Sequence, residues 1–193
     1  MAVMQTVILL MVAYLCGSFP SGKVYGHYFK GVDIQQHGSG NIGFANAYRV
    51  LGPRIAAWVL ISDVLKSFVP LAFAQNVGHI SGVFLLAMGF AAMLGHAYPI
   101  WLGFKGGKSI ATGLGVLLVV SPIVALSAVA VYVALFSVTR TSGISSVAGA
   151  WSLLVTVPLL DRSLTAYAVL LCLFATYTHR DNLRNYMHEH STG

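Results

Sequence analysis

Apolar runs of membrane-spanning length alternate with short polar segments along the chain. A helix of roughly 17 to 25 apolar residues crosses a bilayer and satisfies its backbone hydrogen bonds internally. We therefore predict an all-α, polytopic integral membrane protein with about seven transmembrane helices, the first broken near Gly17-Ser18-Phe19-Pro20. A short span that re-enters or merges with its neighbour would change this number by one. The predicted spans are residues 3–28, 53–73, 80–101, 109–120, 123–138, 144–160 and 164–177.

Composition supports a membrane protein over a soluble one. Hydrophobic residues make up 57% of the chain and charged residues 8%, and the mean hydropathy is +0.79. These values are far from those of a typical soluble domain. A length of 193 residues fits one domain, so residues 1–193 are predicted to form a single transmembrane domain.

The basic residues sort by loop and predict the orientation. On the predicted spans, nine of the eleven Lys and Arg residues fall on one side, and the excess of basic residues marks the cytoplasmic side. The N-terminus is then outside and the C-terminus in the cytoplasm. The net charge of +6 reflects topology and lipid contact, and no nucleic-acid partner is expected. The nine are Lys23, Lys30, Arg49, Arg54, Lys105, Lys108, Arg140, Arg180 and Arg184.

The segment 103–113, GFKGGKSIATG, places two lysines among glycines directly before a predicted helix. Exposed backbone N–H groups at a helix start, joined by a lysine, bind anions. The segment therefore indicates a phosphate cradle at a membrane surface, with Lys108 and Ser109 opening the helix. A plain cytoplasmic loop with positive-inside lysines explains the same residues. The spacing does not fit a nucleotide-binding P-loop, because the position of its first glycine is Leu102.

A second glycine-rich loop, residues 38–43 (GSGNIG), precedes Asn46 and Arg49. These two residues are three apart, so a helix would place them on one face. Glycine lets the backbone approach an oxyanion closely, and arginine clamps phosphate in a bidentate manner. The alternative is a simple turn followed by a positive-inside arginine.

Two polar positions interrupt the predicted spans. Asp63 and Lys66 lie one turn apart in the second span. We expect a structural ion pair near its cytoplasmic end, with Lys66 adding positive potential. His96 ends the third span, where a histidine serves as a base, as a phosphate donor or only as a hydrogen-bond partner of a nearby loop.

Two further polar groups lie near the ends of later spans. Ser142, Ser145 and Ser146 begin the sixth span, either as helix caps or as anion donors. His179 and Asn182 follow the seventh span and share a face, unless this segment is only a basic helix terminus.

Several kinds of chemistry are excluded. The chain has no Gly-x-Ser-x-Gly elbow and no zinc-type spacing of His and Cys. Its five acidic residues are too few for a two-metal site. We therefore expect no metal and no cofactor, and an enzyme of this kind would need a substrate that is already activated.

The ordered motifs resemble the acyl-phosphate:glycerol-3-phosphate acyltransferase family, PlsY, from about residue 17 to residue 182. They are the loop 38–43 with Asn46 and Arg49; Gly95-His96 with Tyr98-Pro99; Phe104 to Lys108 with Ala111-Thr112; and His179 with Asn182.

The resemblance implies a seven-span enzyme of the bacterial inner membrane with its active site on the cytoplasmic side. Such an enzyme transfers a fatty acyl group from acyl phosphate, and not from acyl-CoA or acyl-carrier protein, to the sn-1 hydroxyl of glycerol 3-phosphate. The products are lysophosphatidic acid and phosphate, in the first step of phospholipid synthesis. Direct attack without a covalent acyl-enzyme is expected. The implied partners are both substrates, membrane lipid and a soluble acyl-phosphate synthase.

The resemblance also implies site residues. The catalytic group would be Arg49, Lys108, His179 and Asn182, and the substrate-binding group would be Ser39, Gly40, Asn41, Asn46, His96, Gly106, Gly107 and Ser146. The chain departs from the family pattern at five positions, mostly near the expected glycerol phosphate. These are Phe44, Ala45, Ser109, Gly143 and Thr178.

Two other classes of protein use similar features. A transporter for an organic anion would carry the same basic, glycine-rich loops but needs access from both membrane sides. The polar clusters lie on one side only, which disfavours it. In a structural or assembly subunit the motifs would be incidental, and Lys108→Ala would change little.

Overall fold

The structure, a computed structural model, describes the backbone of residues 3–191 and the side chains of residues 3–188. Across residues 3–191 it contains helices and no strand, which confirms the predicted all-α class. Short 3-10 turns lie at Ile34–Gln36, Ile100–Leu102 and Arg162–Leu164. The helices are α1 (Val3–Gly17), α2 (Ser21–Lys30), α3 (Phe44–Leu51), α4 (Pro53–Asn76), α5 (Gly82–Ala97), α6 (Ile110–Val120), α7 (Pro122–Thr139), α8 (Ser142–Leu160), α9 (Thr165–Thr178) and α10 (Arg180–Ser191).

Five segments are long and apolar enough to cross a membrane, as expected for a multi-pass membrane protein. They are the joined α1–α2 segment, α4, α5 with the turn that follows it, α7 and α8. Helix α6 is apolar but shorter. Large apolar side chains such as Trp58, Val133 and Val155 are exposed on these helices, where lipid would cover them. The number of seven spans and the orientation of the termini stay predictions.

The predicted break in the first span is confirmed. Helix α1 ends at Gly17, and α2 begins after Pro20. The hydroxyl and the N–H of Ser18 both donate to the carbonyl of Tyr14, at 2.9 and 2.8 Å. This bonding satisfies polar groups that the interruption would otherwise leave unpaired inside the membrane.

The described residues pack as two compact units that divide after Val120. The prediction of a single domain stays a prediction. In the first unit, α1 packs on α5 and α4 packs on α6. Glycine permits both contacts: a Cβ at Gly17 would lie 2.0 Å from the carbonyl oxygen of Ala92, and one at Gly115 would lie 2.3 Å from that of Val64.

A small hydrophobic core joins the glycine-rich loop of residues 38–43 to α3 and α4 in the first unit. Ile34 lies four residues before this loop and Ile42 lies within it, and both are buried. They pack with side chains of the two helices, so apolar burial holds the loop against α3 and α4. The helix side chains are Ala47, Leu51, Ala56 and Val59.

The second unit contains α7 to α10. Helix α8 packs against both α7 and α9. The indole N–H of Trp151 donates to the Thr176 hydroxyl at 3.0 Å, and the Cys172 thiol donates to the Ala150 carbonyl at 3.0 Å. These bonds hold α9 against α8. Helix α10 was not among the predicted elements, because its sequence is polar and the prediction rested on apolar runs of membrane-spanning length.

Candidate active site

Asn46 organises the glycine-rich loop of residues 38–43, called here the glycine loop. It is 1% exposed, and its Oδ1 accepts a hydrogen bond from the Ser39 N–H at 2.9 Å. Its amide nitrogen donates to the carbonyls of Ile34, His37 and Asn41 at 3.2, 3.0 and 2.9 Å. The side chain is thus committed to the loop, which makes Asn46 a positioning group.

The backbone conformation of this loop explains two of its glycines. Gly38 and Gly40 adopt left-handed φ values of 61° and 69°, which glycine adopts without steric cost. A Cβ at Gly38 would also lie 2.2 Å from the Asn46 Oδ1. Asn41 Oδ1 accepts from the Gly43 N–H at 2.9 Å, directly before α3.

Arg49 and Ser39 lie at the surface of the loop region, where a ligand could reach them. Both are exposed, and within the described residues no carboxylate pairs with Arg49. Arg49 lies on α3 together with Asn46, as predicted, but Asn46 is buried. Among the described side chains none caps the start of α3 at Gly43, so its first N–H groups remain available to an acceptor.

A hydrogen bond joins the turn before the glycine loop to the loop of residues 103–109, called here the lysine loop. The side-chain amide of Gln35 donates to the Lys105 carbonyl at 3.0 Å. The Lys23 ammonium donates a hydrogen bond to the side-chain oxygen of Gln35 at 3.1 Å and forms an ion pair with Asp33 at 3.1 Å. The hydrogen bond from Lys23 holds the pKa of Asp33 below its ordinary value. Sequence reasoning missed Gln35, because a single glutamine in a loop belongs to no motif.

The lysine loop is held against the end of α5. The N–H of Gly106 donates to the Ala97 carbonyl at 3.0 Å, and that of Gly107 donates to the His96 carbonyl at 2.9 Å. These two N–H groups are therefore bonded within the protein and are not exposed as the predicted phosphate cradle required. Neither position has room for a side chain, because a Cβ at Gly106 would lie 2.1 Å from the His96 carbonyl oxygen. Lys108, half-buried, follows directly before α6.

The departure at Ser109 has a clear structural setting. Its φ is 61°, in the left-handed region that favours glycine, which fits the glycine expected there from the resemblance. Its hydroxyl donates to the Met93 carbonyl at 2.7 Å. This bond supports a backbone conformation that serine adopts at a cost.

The predicted ion pair of Asp63 and Lys66 is present, with 2.9 Å between Asp63 Oδ1 and Lys66 Nζ. It forms part of a larger buried group. Ser21 donates to the same carboxylate oxygen at 2.6 Å, and the Nδ1 of His96 lies 3.6 Å from it and within hydrogen-bond distance of Lys66. Sequence reasoning did not include Ser21 in this group, since it is 42 residues from Asp63 in the chain.

In the second unit, three predicted residues lie near the start of α8 and the junction of α9 and α10. Ser146 is buried on α8. His179 is 3% exposed at the junction, and its Nδ1 lies 2.9 Å from the Ala175 carbonyl oxygen. A Cβ at Gly143 would lie 2.6 Å from the Asn182 amide nitrogen. Because Gly143 replaces the serine expected from the resemblance, Asn182 approaches the α8 backbone closely.

The first unit therefore contains two glycine-rich loops, with an exposed arginine on α3 after the first and a half-buried lysine in the second. Backbone N–H groups, guanidinium and ammonium bind phosphate. Within residues 3–188, no three His, Cys, Asp or Glu side chains come close enough to hold a metal ion. The fold and this region define a class: multi-pass helical membrane proteins with basic, glycine-rich loops.

Comparisons with known proteins identify the family within that class. The sequence model of the family described as Glycerol-3-phosphate acyltransferase matches residues 7–189. A glycerol-3-phosphate acyltransferase of Myxococcus xanthus is 41% identical over 93% of this chain and 94% of its own length. One of Geobacter sulfurreducens is 39% identical over 94% and 93%. The chain belongs to the glycerol-3-phosphate acyltransferase family.

Solved structures agree with this assignment. Crystal structures of PlsY, an integral membrane glycerol 3-phosphate acyltransferase, superpose with TM-scores of 0.89 and 0.87 at 34% identity. Each comparison covers 96% of this chain and 93% of the other. The first is the glycerol 3-phosphate form and the second the lysophosphatidic acid form. The predicted family is confirmed, and the chain is a membrane-integral acyltransferase.

Proposed function

We propose that this chain transfers a fatty acyl group from acyl phosphate to the sn-1 hydroxyl of glycerol 3-phosphate. The products are lysophosphatidic acid and phosphate, and the reaction begins phospholipid synthesis. The observation that carries the proposal is the Gln35–Lys105 hydrogen bond of 3.0 Å, which joins the turn before the glycine loop to the lysine loop; we propose that both loops bind phosphate. Both proposed substrates carry a phosphate group, so a site for them must offset several negative charges. The glycerol 3-phosphate and lysophosphatidic acid forms of the related structures support the substrate class.

The chemistry is a direct acyl transfer. The hydroxyl oxygen of glycerol 3-phosphate attacks the carbonyl carbon of acyl phosphate and forms the new ester bond. The bond between that carbon and the phosphate oxygen breaks, and phosphate leaves with the electron pair. The hydroxyl proton goes to an acceptor, for which His96, His179 and a substrate phosphate oxygen are the candidates. Because acyl phosphate is a mixed anhydride, no covalent acyl-enzyme is required.

The protein contributes position and charge. Arg49 is proposed to clamp a phosphate through two N–H groups, and Lys108 to act as a point charge on the leaving phosphate. Holding the hydroxyl near the carbonyl removes much of the entropic part of the activation free energy. Cations at the leaving phosphate lower the activation free energy further by stabilising its developing charge. Gly40 allows a close approach of the backbone to substrate, whereas Gly106 and Gly107 donate to α5 carbonyls and hold the lysine loop in position.

Further proposed phosphate ligands come from the resemblance. Ser39 and Asn41 belong to the glycine loop. The buried Asn46 side chain supports that loop through hydrogen bonds to the backbone of both residues. In the second unit, Ser146, His179 and Asn182 are proposed to bind substrate phosphate. No metal or cofactor takes part in the proposed reaction.

The proposed location is the bacterial inner membrane, with the reaction on the cytoplasmic side. Nine of the eleven basic residues fall on that side of the predicted topology. The glycerol 3-phosphate is then drawn from the cytoplasm, and a soluble acyl-phosphate synthase supplies the donor. The acyl chain, being apolar, would lie among helices that face lipid.

The test uses the purified full chain in detergent or lipid, with phosphate release from a long-chain acyl phosphate as the readout. Release that depends on glycerol 3-phosphate is the expected result. A burst of phosphate without glycerol 3-phosphate, equal to the enzyme concentration, would instead show a covalent acyl-enzyme. No release from folded protein that still binds glycerol 3-phosphate would favour the transporter.

A further inference from the structure

A buried polar group, called here the polar network (Ser21, Asp63, Lys66 and His96), lies against the lysine loop, and His96 is its one member with a role in the reaction as proposed. Its members come from three helices, α2, α4 and α5. Their exposures are 0%, 1%, 8% and 3%. Charged groups inside a membrane protein are costly, and those that persist usually have a function. The Asp63–Lys66 pair balances its own charge, which leaves the contact with His96 without an electrostatic need.

Lys66 is the centre of the network. Its ammonium donates to Asp63 Oδ1 at 2.9 Å and to the carbonyl of Phe19 at 3.3 Å, at the break between α1 and α2. Ser21 donates to the same Asp63 oxygen at 2.6 Å. Asp63 Oδ1 therefore accepts two hydrogen bonds without His96, and the Lys66 ammonium has one further donor.

That remaining donor meets Nδ1 of His96. Because an ammonium has no acceptor, Nδ1 must accept the hydrogen bond, and the ring proton of His96 lies on Nε2. The contact therefore fixes both the tautomer and the orientation of the ring.

The other edge of the ring meets the lysine loop. A Cβ at Gly107 would lie 1.9 Å from His96 Nε2, so Gly107 packs directly against the ring. The N–H of Gly107 also donates to the His96 carbonyl at 2.9 Å. The residue immediately before Lys108 is thus held by both the side chain and the backbone of His96.

We propose that Lys66 is a positioning residue, which orients the His96 ring and thereby sets the position of Lys108 through Gly107. The inference rests on the proposed acyl transfer for its kinetic readout only. It also has a consequence for the reaction. His96 Nε2 carries a proton, so it serves as a hydrogen-bond donor, and the hydroxyl proton of glycerol 3-phosphate goes to another acceptor.

The loop position is tested first, without reference to activity. The double change Asp63→Asn with Lys66→Met removes both charges and leaves no buried ion unpaired. A cysteine probe, Lys105→Cys in a Cys16→Ser, Cys172→Ser background, reports on the loop through its rate of maleimide labelling. We expect the double change to alter that rate at least about threefold, because the loop loses its support. An unchanged rate would overturn the inference, with thermal unfolding confirming that both proteins are folded.

A double-mutant cycle tests the link to Lys108. The Asp63→Asn, Lys66→Met pair should lower kcat about tenfold or more in the natural background, and less than about threefold when Lys108 is already alanine. Unchanged kcat would show a self-neutralising ion pair, and an equal loss in both backgrounds would show a general defect of the fold. Either result contradicts the inference. If the natural protein transfers no acyl group, the proposed function fails, while the labelling experiment still decides the positioning role.

Discussion

Replacing Asn46 with aspartate should collapse the glycine loop although the two side chains have nearly the same shape. The change keeps an oxygen for the Ser39 N–H but replaces the amide donor, which bonds three carbonyls at 2.9 to 3.2 Å, with a second acceptor. The amide nitrogen carries two hydrogens, so at most two full hydrogen bonds are lost, and at about 1 kcal/mol for each the loss is about 2 kcal/mol. For a chain of this length, that corresponds to a fall in melting temperature of about 4 to 8 °C.

The matched control is Asn41→Asp in the same loop. Its Oδ1 only accepts, from the Gly43 N–H at 2.9 Å, and aspartate keeps that bond at the start of a helix, where a negative charge is favourable. The two variants add the same charge five positions apart, so their difference reports the lost donor together with the burial of the added charge at position 46. The assay is thermal unfolding of the purified proteins in one detergent. Equal melting temperatures for Asn46→Asp and Asn41→Asp would refute the reasoning.

Two further predictions concern charge. Arg49→Ala and Lys108→Ala should each lower turnover about 100-fold or more while the proteins still insert and fold, and near-normal rates for both would show that the assigned phosphate cations are wrong. Lys23 lowers the pKa of Asp33 from its ordinary value of 3.8, so the pair stabilises the fold above about pH 4 and its contribution disappears as the pH falls through the lowered pKa. At pH 7 the free energy of unfolding of Asp33→Asn should therefore be lower than that of the natural protein by less than about 1 kcal/mol, because the pair is partly exposed. In acid the melting temperatures of the two proteins should converge. A difference that grows in acid would contradict that sign.

The features that sequence predicted well are local. Proline and glycine near residue 20 indicated the break between α1 and α2, and Pro53 and Pro122 stand at the first positions of α4 and α7, which proline favours. The pairing of Asp63 with Lys66 also followed from their separation of three residues on one helix. In each case, the interacting groups are neighbours in the chain.

The features that sequence did not predict depend on contacts between distant segments. His96 is 30 residues from Lys66, and Gln35 is 70 residues from Lys105. Helical periodicity carries no information about such pairs. Asn46 was expected near the glycerol phosphate, yet its amide is committed to loop carbonyls. Sequence identified a residue that matters to the loop, and the fold shows how it acts.

The donor and the regiochemistry of acyl transfer are the central claim. The most direct measurement compares lysophosphatidic acid formation from long-chain acyl phosphate, acyl-CoA and acyl-carrier protein, each with glycerol 3-phosphate, and locates the acyl group in the product. We predict 1-acyl lysophosphatidic acid from acyl phosphate alone, with one phosphate released for each molecule formed. Product from acyl-CoA or acyl-carrier protein with none from acyl phosphate, or acylation at the sn-2 hydroxyl, would contradict the account.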